Sequence, residues 1–177
     1  PLRLVGSEMC IRDRLLVEEG ANVVIFRNDK VSIETLESLR PVNMVISPGP
    51  GHPLTDAGIS LACIKHFGGQ IPILGICMGL QCMTVAFGGV VSGADEIFHG
   101  KTSMMQHDGC GLFAGLSTSV PITGTRYHSL CAQIDAVPDV LRETAHVDSG
   151  VVMGLRHKTY TIEAVPVSYT HLRAHET

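Results

Sequence analysis

What the sequence lacks narrows its class first. No apolar run among its 177 residues approaches the roughly 20 that a membrane-spanning helix needs. No low-complexity tract is present, and 45% hydrophobic against 17% charged residues describe a folding chain, not a disordered one. Neither charge sign dominates: a net charge of −4 gives no attraction to nucleic acid or to anionic lipid. No CxxC pair links the six cysteines at 10, 63, 77, 82, 110 and 131, and no secretory n-region precedes them. Reduced thiols in a cytoplasmic protein are expected. His171 and His175 stand four apart, but no third ligand falls near them, so no metal is expected. No GK[ST] follows the proline–glycine loop at 47–53, which excludes a P-loop.

What is present alternates. The run "ANVVIFR" at 21–27 is β-branched and apolar and reads as a strand. "SIETLESLR" follows as a short helix, with Ser32 as N-cap, apolar residues at 33, 36 and 39, and Pro41 as the stop. "NMVIS" is a second strand, closed by "PGPGHP"; a helix then runs from about Asp56, whose side chain can cap it, to Gly68 and Gly69. "IPILGI" is a third strand and "GLQCMTVAF" a third helix, ended by Gly88 and Gly89. Apolar strands alternating with helices predict an open, mostly parallel α/β sheet covered on both faces. Beyond residue 90 short strands replace this pattern: "VVSG", "VPITG", "LRETAHV", "VVMGLRH" and "YTIEAV", the last two reading as a hairpin. They are expected to add antiparallel strands to the same sheet. There is no linker and no repeat, and a chain of this length suits one domain.

Three segments carry chemistry. Gly75-Ile76-Cys77-Met78-Gly79 joins an apolar strand to a helix, the context of a nucleophile elbow. Glycines flank the cysteine because side chains there would clash across a strained turn. A helix N-terminus favours thiolate over thiol. On these five residues alone, Cys77 reads more readily as a small core side chain than as a nucleophile. "SPGPGHP" at 47–53 ends the preceding strand, so it should lie beside Cys77, since ligands bind outside the carboxyl ends of strands in such sheets. Its prolines stiffen it and its glycines expose N–H groups that suit an oxyanion or a carboxylate, although an ordinary tight turn has the same composition. His128, in "TRYHSL", is a base or a bystander.

The two ends do not fit the pattern. Residues 1–14 should supply a first apolar strand and offer only "LRLV", and residues 166–177 show no periodicity. "SEMCIRDR" and "VSYTHLRAHET" resemble translated adapter sequence at the edges of assembled gene fragments. The reading is therefore a domain at 15–165, truncated at both ends, with 1–14 and 166–177 as non-native tails.

Together, "SPGPGHPLTDAGIS", "PILGICMGLQ", the pattern GG.V..A.EI.HGKTS across 88–103, "HDG" at 107–109, "RYHSL" and "MGLRHKTYTIEAV" at 153–165 resemble the class I, triad-type glutamine amidotransferases. Within that family they are most similar to the glutaminase component (component II) of anthranilate synthase, in its fungal-type form. The resemblance implies a flavodoxin-like three-layer fold, no cofactor, and attack by Cys77 on the side-chain carboxamide of glutamine. It implies that backbone N–H groups of Gly49 and Met78 hold the oxyanion. Gly49, Pro50, Gly51, Gln81 and the backbone at Ser129 and Leu130 would bind the substrate. Ammonia would pass to a chorismate-binding synthase subunit, which eliminates pyruvate to give anthranilate for tryptophan synthesis. "EIFHGKTS" would face that partner.

One departure stands out. In the family, the strand matching "TIEAV" continues into Gln-Phe-His-Pro-Glu-Ser, which supplies the general base and the carboxylate that orients it. Here Pro166 to Thr170 precede His171, and no histidine or glutamate stands at the matching positions. Three alternatives follow. The same glutaminase could serve aminodeoxychorismate synthase, or the chain could be a catalytically silent module that binds the synthase. An α/β-hydrolase with a cysteine elbow would require an acid and a histidine later in the chain, and it leaves "SPGPG" unexplained.

Overall fold

The computed structural model describes residues 2–5, 11–93, 101–126, 130–132 and 134–166. Its strands are β1 (Leu2–Val5), β2 (Val24–Arg27), β3 (Met44–Ile46), β4 (Ile73–Ile76), β5 (Val91–Gly93), β6 (Lys101–His107), β7 (Ile122–Arg126), β8 (Leu130–Ala132), β9 (Leu141–Val147), β10 (Val152–His157) and β11 (Ile162–Val165). Its helices are α1 (Ile11–Glu18), α2 (Ile33–Ser38), α3 (Ser60–Phe67) and α4 (Met78–Ala86). Nine strands make one sheet in the order β2-β1-β3-β4-β11-β10-β9-β6-β7.

The first five strands of that order run parallel, and each pairing from β11 to β7 is antiparallel. The sheet is thus mixed, its parallel half extended by the antiparallel strands expected from the second half of the chain. The reason lies in the hairpin: β11 returns to pair with β4, and β10 must then run against it. The short strand β5 does not join this sheet, contrary to expectation. It pairs with β8 in a separate two-stranded ladder, Val91 to Gly93 opposite Ala132 to Leu130. The first-strand position is filled as well. Leu2–Val5 pairs with both β2 and β3, so four residues suffice where the sequence seemed to offer too few.

Local signals explain most of the helix ends. The Ser32 hydroxyl accepts the Thr35 N–H at 3.3 Å, the expected N-cap of α2, and Leu36 buries the apolar face. Past α4, Gly88 takes φ +93, while Gly88 N–H donates to Val85 O at 3.0 Å and Gly89 N–H to Thr84 O at 2.8 Å. That is a Schellman closure, which needs a residue without Cβ at this point. Helix α3 starts at Ser60, not near Asp56, and has no side-chain cap. The Asp56 carboxylate is turned back onto the loop before it.

The core lies on one face of the parallel strands. Met44, Ile46, Ile73, Ile162 and Ala164 pack with Leu36, Ile64, Phe67, Leu80 and Met83. Burying each large side chain stabilises by about 1.5–3 kcal/mol. Residues alternate along a strand, so Val45, Leu74 and Glu163 point to the other face, where Leu16 of α1 and Leu112 border a groove of about 600 Å³. Edge strand β2 is less covered than its apolar run suggests: Val24 and Ile25 are exposed.

A charged node fastens that second face. Arg156 of β10 donates to Asp108 at 2.9 Å and to the Cys110 carbonyl at 2.6 Å, and it pairs with Glu163 of β11 at 3.2 Å. Glu163 also accepts the Leu112 N–H at 2.9 Å. Burial by itself would raise the Asp108 carboxyl, but the Arg156 and Cys110 bonds outweigh it and hold it below the usual carboxylate range. At the hairpin, buried His157 stacks on Tyr160 with ring centroids 4.3 Å apart. Its Nδ1 accepts the N–H groups of Thr159 at 3.0 Å and Tyr160 at 2.9 Å.

Burial holds His157 below its ordinary value, so folding favours the neutral ring. The stability it gives is complete above an unfolded value of about 6.5 and is lost as pH falls through that value toward the lower folded one. We expect the melting temperature to drop between pH 7 and pH 5.5. His157→Asn should show a shallower drop, because a carboxamide oxygen accepts both N–H groups at either pH. Thermal melts by circular dichroism check this.

Candidate functional site

Strand β4 ends at Ile76 and α4 begins at Met78, so a single residue reverses the chain. Cys77 does so at φ +55 and ψ −103, a conformation that side chains rarely adopt and that costs about 1–3 kcal/mol. Its neighbours hold it there. The Cys77 N–H donates to Val165 O at 2.8 Å, and its carbonyl accepts from Leu80 at 2.9 Å and Gln81 at 3.2 Å. The flanking glycines are explained by close approach, not by their own φ. A Cβ on Gly79 would strike the Ile46 carbonyl, and one on Gly75 would lie 2.7 Å from the Gly79 backbone and 3.0 Å from Ala164 Cβ.

The same contact brings the second segment in. Ile46 ends β3 and pairs with Gly75 of β4, so residues 47–51 leave the sheet beside the elbow. Ser47 is buried, and Gly51 takes φ +90. Met78, the first residue of α4, has no acceptor inside the helix for its N–H. The Gln81 side chain, one turn further on, is buried. Strand β8, which begins at Leu130, packs against α4. Cys77, Gly49, Pro50, Gly51, Met78 and Gln81 thus share the carboxyl ends of β3 and β4. The 600 Å³ groove lies elsewhere: Asn43, Pro72 and Thr161 in its lining precede β3, β4 and β11.

Ser129, His128, residues 96–100 of the "EIFHGKTS" segment, and residues 167–177 with His171 and His175 lie outside the described residues. Among the described residues, no group of three or more His, Cys, Asp or Glu side chains is placed to hold a metal ion. No helix among them is long and apolar enough to cross a membrane. Two contributors escaped sequence reasoning. The Val165 carbonyl that anchors Cys77 is a backbone atom and leaves no mark in the sequence. Asp56 looked like a helix cap.

Four thiols can be compared. Cys63 and Cys82 are buried, and burial pushes both up to about 12, with Cys63 adding to the effect on Cys82. Cys77 is half-buried on its turn, and Cys110 is exposed.

The chain is similar to known proteins in sequence and in fold. The family described as glutamine amidotransferase class-I matches residues 11–165. A multifunctional tryptophan biosynthesis protein of Pichia angusta is 53% identical over 150 residues, which cover 85% of this chain and 40% of that protein. An anthranilate synthase component 2 of Pseudomonas putida is 46% identical over 169 residues, covering 91% of this chain and 84% of the relative. The chain therefore spans less than half of the Pichia protein and most of the Pseudomonas one. Among solved structures, a Thermoplasma acidophilum protein assigned to GMP synthase as one of its subunits superposes with a TM-score of 0.77 at 26% identity, over 94% of this chain and 82% of that one.

The thiol environments give a direct test. A thiol titrating at about 12 is only ~10⁻⁵ thiolate at pH 7. Limited iodoacetamide at pH 7 should therefore alkylate Cys77 at least tenfold faster than Cys63 or Cys82. Peptide mapping that found Cys82 modified first would remove the elbow assignment.

Proposed function

Because the chain belongs to the class I glutamine amidotransferases, we propose that it releases ammonia from glutamine through Cys77 and delivers it to a chorismate-binding synthase subunit. That subunit would make anthranilate for tryptophan synthesis. The observation that carries this reading is Cys77 held at φ +55 beneath a helix start, beside the Ser47–Gly51 loop. The names of the Pichia and Pseudomonas relatives support the pathway. Its place of work is taken to be the cytoplasm, where cysteines are kept reduced.

The chemistry follows from the layout. The N-terminal end of α4 favours the Cys77 thiolate, which attacks the carboxamide carbon. The N–H groups of Gly49 and Met78 take the developing oxyanion. Ammonia leaves as the γ-glutamyl thioester forms, and water then releases glutamate and restores the thiol. Pro50, Gly51, Gln81 and the backbone at Ser129 and Leu130 hold the amino-acid end of the substrate. Both ammonia release and water attack need a proton carrier, and no histidine or glutamate stands among Pro166 to Thr170 for that task.

Two experiments test this. In a chain carrying the family ending and reconstituted with the synthase subunit, Cys77→Ala should abolish glutamine-dependent anthranilate formation and spare the ammonia-dependent reaction. Equal loss of both, with the partner still bound, would contradict the division of labour. Replacing residues 166–177 with Gln-Phe-His-Pro-Glu-Ser and onward should raise glutaminase turnover by roughly 10²–10⁴-fold, the usual worth of positioned acid–base catalysis. A replaced chain that binds the synthase yet stays inert would be a partner-binding module. Turnover by the unmodified chain that disappears with His171→Ala or His175→Ala would place the base in the present tail.

A further inference from the structure

We propose that Asp56 is the positioning residue of the oxyanion loop, clamping the loop's end at Gly51 and His52 by accepting two donors on one carboxylate oxygen. The proposal rests on the reading of Gly49 as an oxyanion donor. Asp56 Oδ2 accepts the His52 N–H at 2.7 Å and the Thr55 hydroxyl at 2.6 Å. The His52 carbonyl accepts in return from the N–H of Asp56 at 2.8 Å and of Thr55 at 3.2 Å. His52 is thereby tied through both of its backbone groups, and its ring Nδ1 accepts the Leu54 N–H at 3.2 Å.

The carboxylate also fills the space beside Gly51. A Cβ on Gly51 would fall on Asp56 Cγ and Oδ2, so the φ of +90 and the missing side chain both serve this contact. The far end of the segment is fixed independently. Pro53 and Ala57 are buried, and Ile59 N–H donates to the Asn28 carbonyl at 3.1 Å. Gly58, at φ +53, lies so close to that carbonyl that a Cβ would strike it. Asp56 thus links a fixed base at 57–59 to the loop carrying Gly49. The Thr55 hydroxyl and the His52 N–H hold its carboxyl below the usual carboxylate range, so it stays charged at neutral pH. An oxyanion donor works only within about 2.7–3.1 Å of the developing charge, which makes a clamp on its loop consequential.

Both donors meet on a single oxygen, and a carboxamide also has one, so Asp56→Asn should keep the clamp and Asp56→Ala should lose it. The test uses the chain as it stands and two reagents for Cys77. A diazoketone analogue of glutamine needs the oxyanion loop, and iodoacetamide does not. In Asp56→Ala the diazoketone rate should fall about tenfold or more, short of the ~10²–10³-fold that follows outright loss of a donor. The iodoacetamide rate should stay within about twofold, and amide exchange at His52 should quicken. Asp56→Asn should keep native values in all three. Should Asp56→Ala fail to fold, Thr55→Val removes one of the two donors and is expected to slow diazoketone labelling by about two- to fivefold.

Native exchange at His52 and an unchanged diazoketone rate in Asp56→Ala would overturn the proposal. So would Asp56→Asn labelling as slowly as Asp56→Ala. Faster His52 exchange in Asp56→Ala, with no diazoketone labelling of the unsubstituted chain even when it carries the family ending, would sustain the clamp and refute the glutaminase reading instead.

Discussion

Everything at the site depends on one close approach, the first turn of α4 against the carboxyl ends of β3 and β4. Gly79 lies on the Ile46 carbonyl and Gly75 on the Gly79 backbone, so the helix and the strands meet without side chains between them. A helix starting that near its own strand leaves one residue to turn the chain. That residue cannot avoid a strained φ. The strain is about 1–3 kcal/mol. It is outweighed on the buried side of the same helix, where Met78, Leu80, Cys82 and Met83 leave water at roughly 1–3 kcal/mol each. The elbow is therefore a consequence of core packing, displayed at its edge.

The second dependence runs through β11. This strand comes last among the described elements, yet it sits between β4 and β10, where the parallel and antiparallel halves join. Its final residue supplies the carbonyl that holds Cys77 N–H, and Glu163, two residues earlier, ties it to Arg156 and to the turn at Leu112. The two faces of β11 thus do different work. Ile162 and Ala164 close the core beneath α4, while Glu163 anchors the opposite surface. Cys77 and Val165 are far apart in sequence, so the bond that fixes the Cys77 backbone is a long-range contact, whose loop must close before the bond can form.

What was legible in the sequence follows the range of the interaction. Ser32, Gly88 and the hairpin after His157 act over a few residues, and their signals read correctly. Gly75 and Gly79 act through tertiary contact, but a backbone collision permits only glycine and so writes itself into the sequence. Asp56 was misread because an acidic residue ahead of an apolar run looks the same whether it bonds forward to a helix or back to a loop. The Arg156 node was invisible: Asp108 and Glu163 lie 48 and 7 residues away from it, with no periodicity to join them. Strand β5 had the composition of a sheet strand but not the information to say which sheet. Exposed Val24 and Ile25 show the converse error, since an apolar run promises burial only where another layer covers it.

The two sides of the site are held by different physics. Cys77 is set by packing, with glycine backbones in contact and a buried helix behind them, and such contacts change little with pH or salt. The loop opposite is set by exposed polar bonds on a carboxylate, which compete with water. Groups held in that way open at lower free energy than a packed core does. A substitution in α4 that disturbs Cys77 must therefore disturb the core with it. A substitution around Asp56 can shift the opposing loop and leave the sheet intact, which makes that side the place where the site can be altered without unfolding the protein.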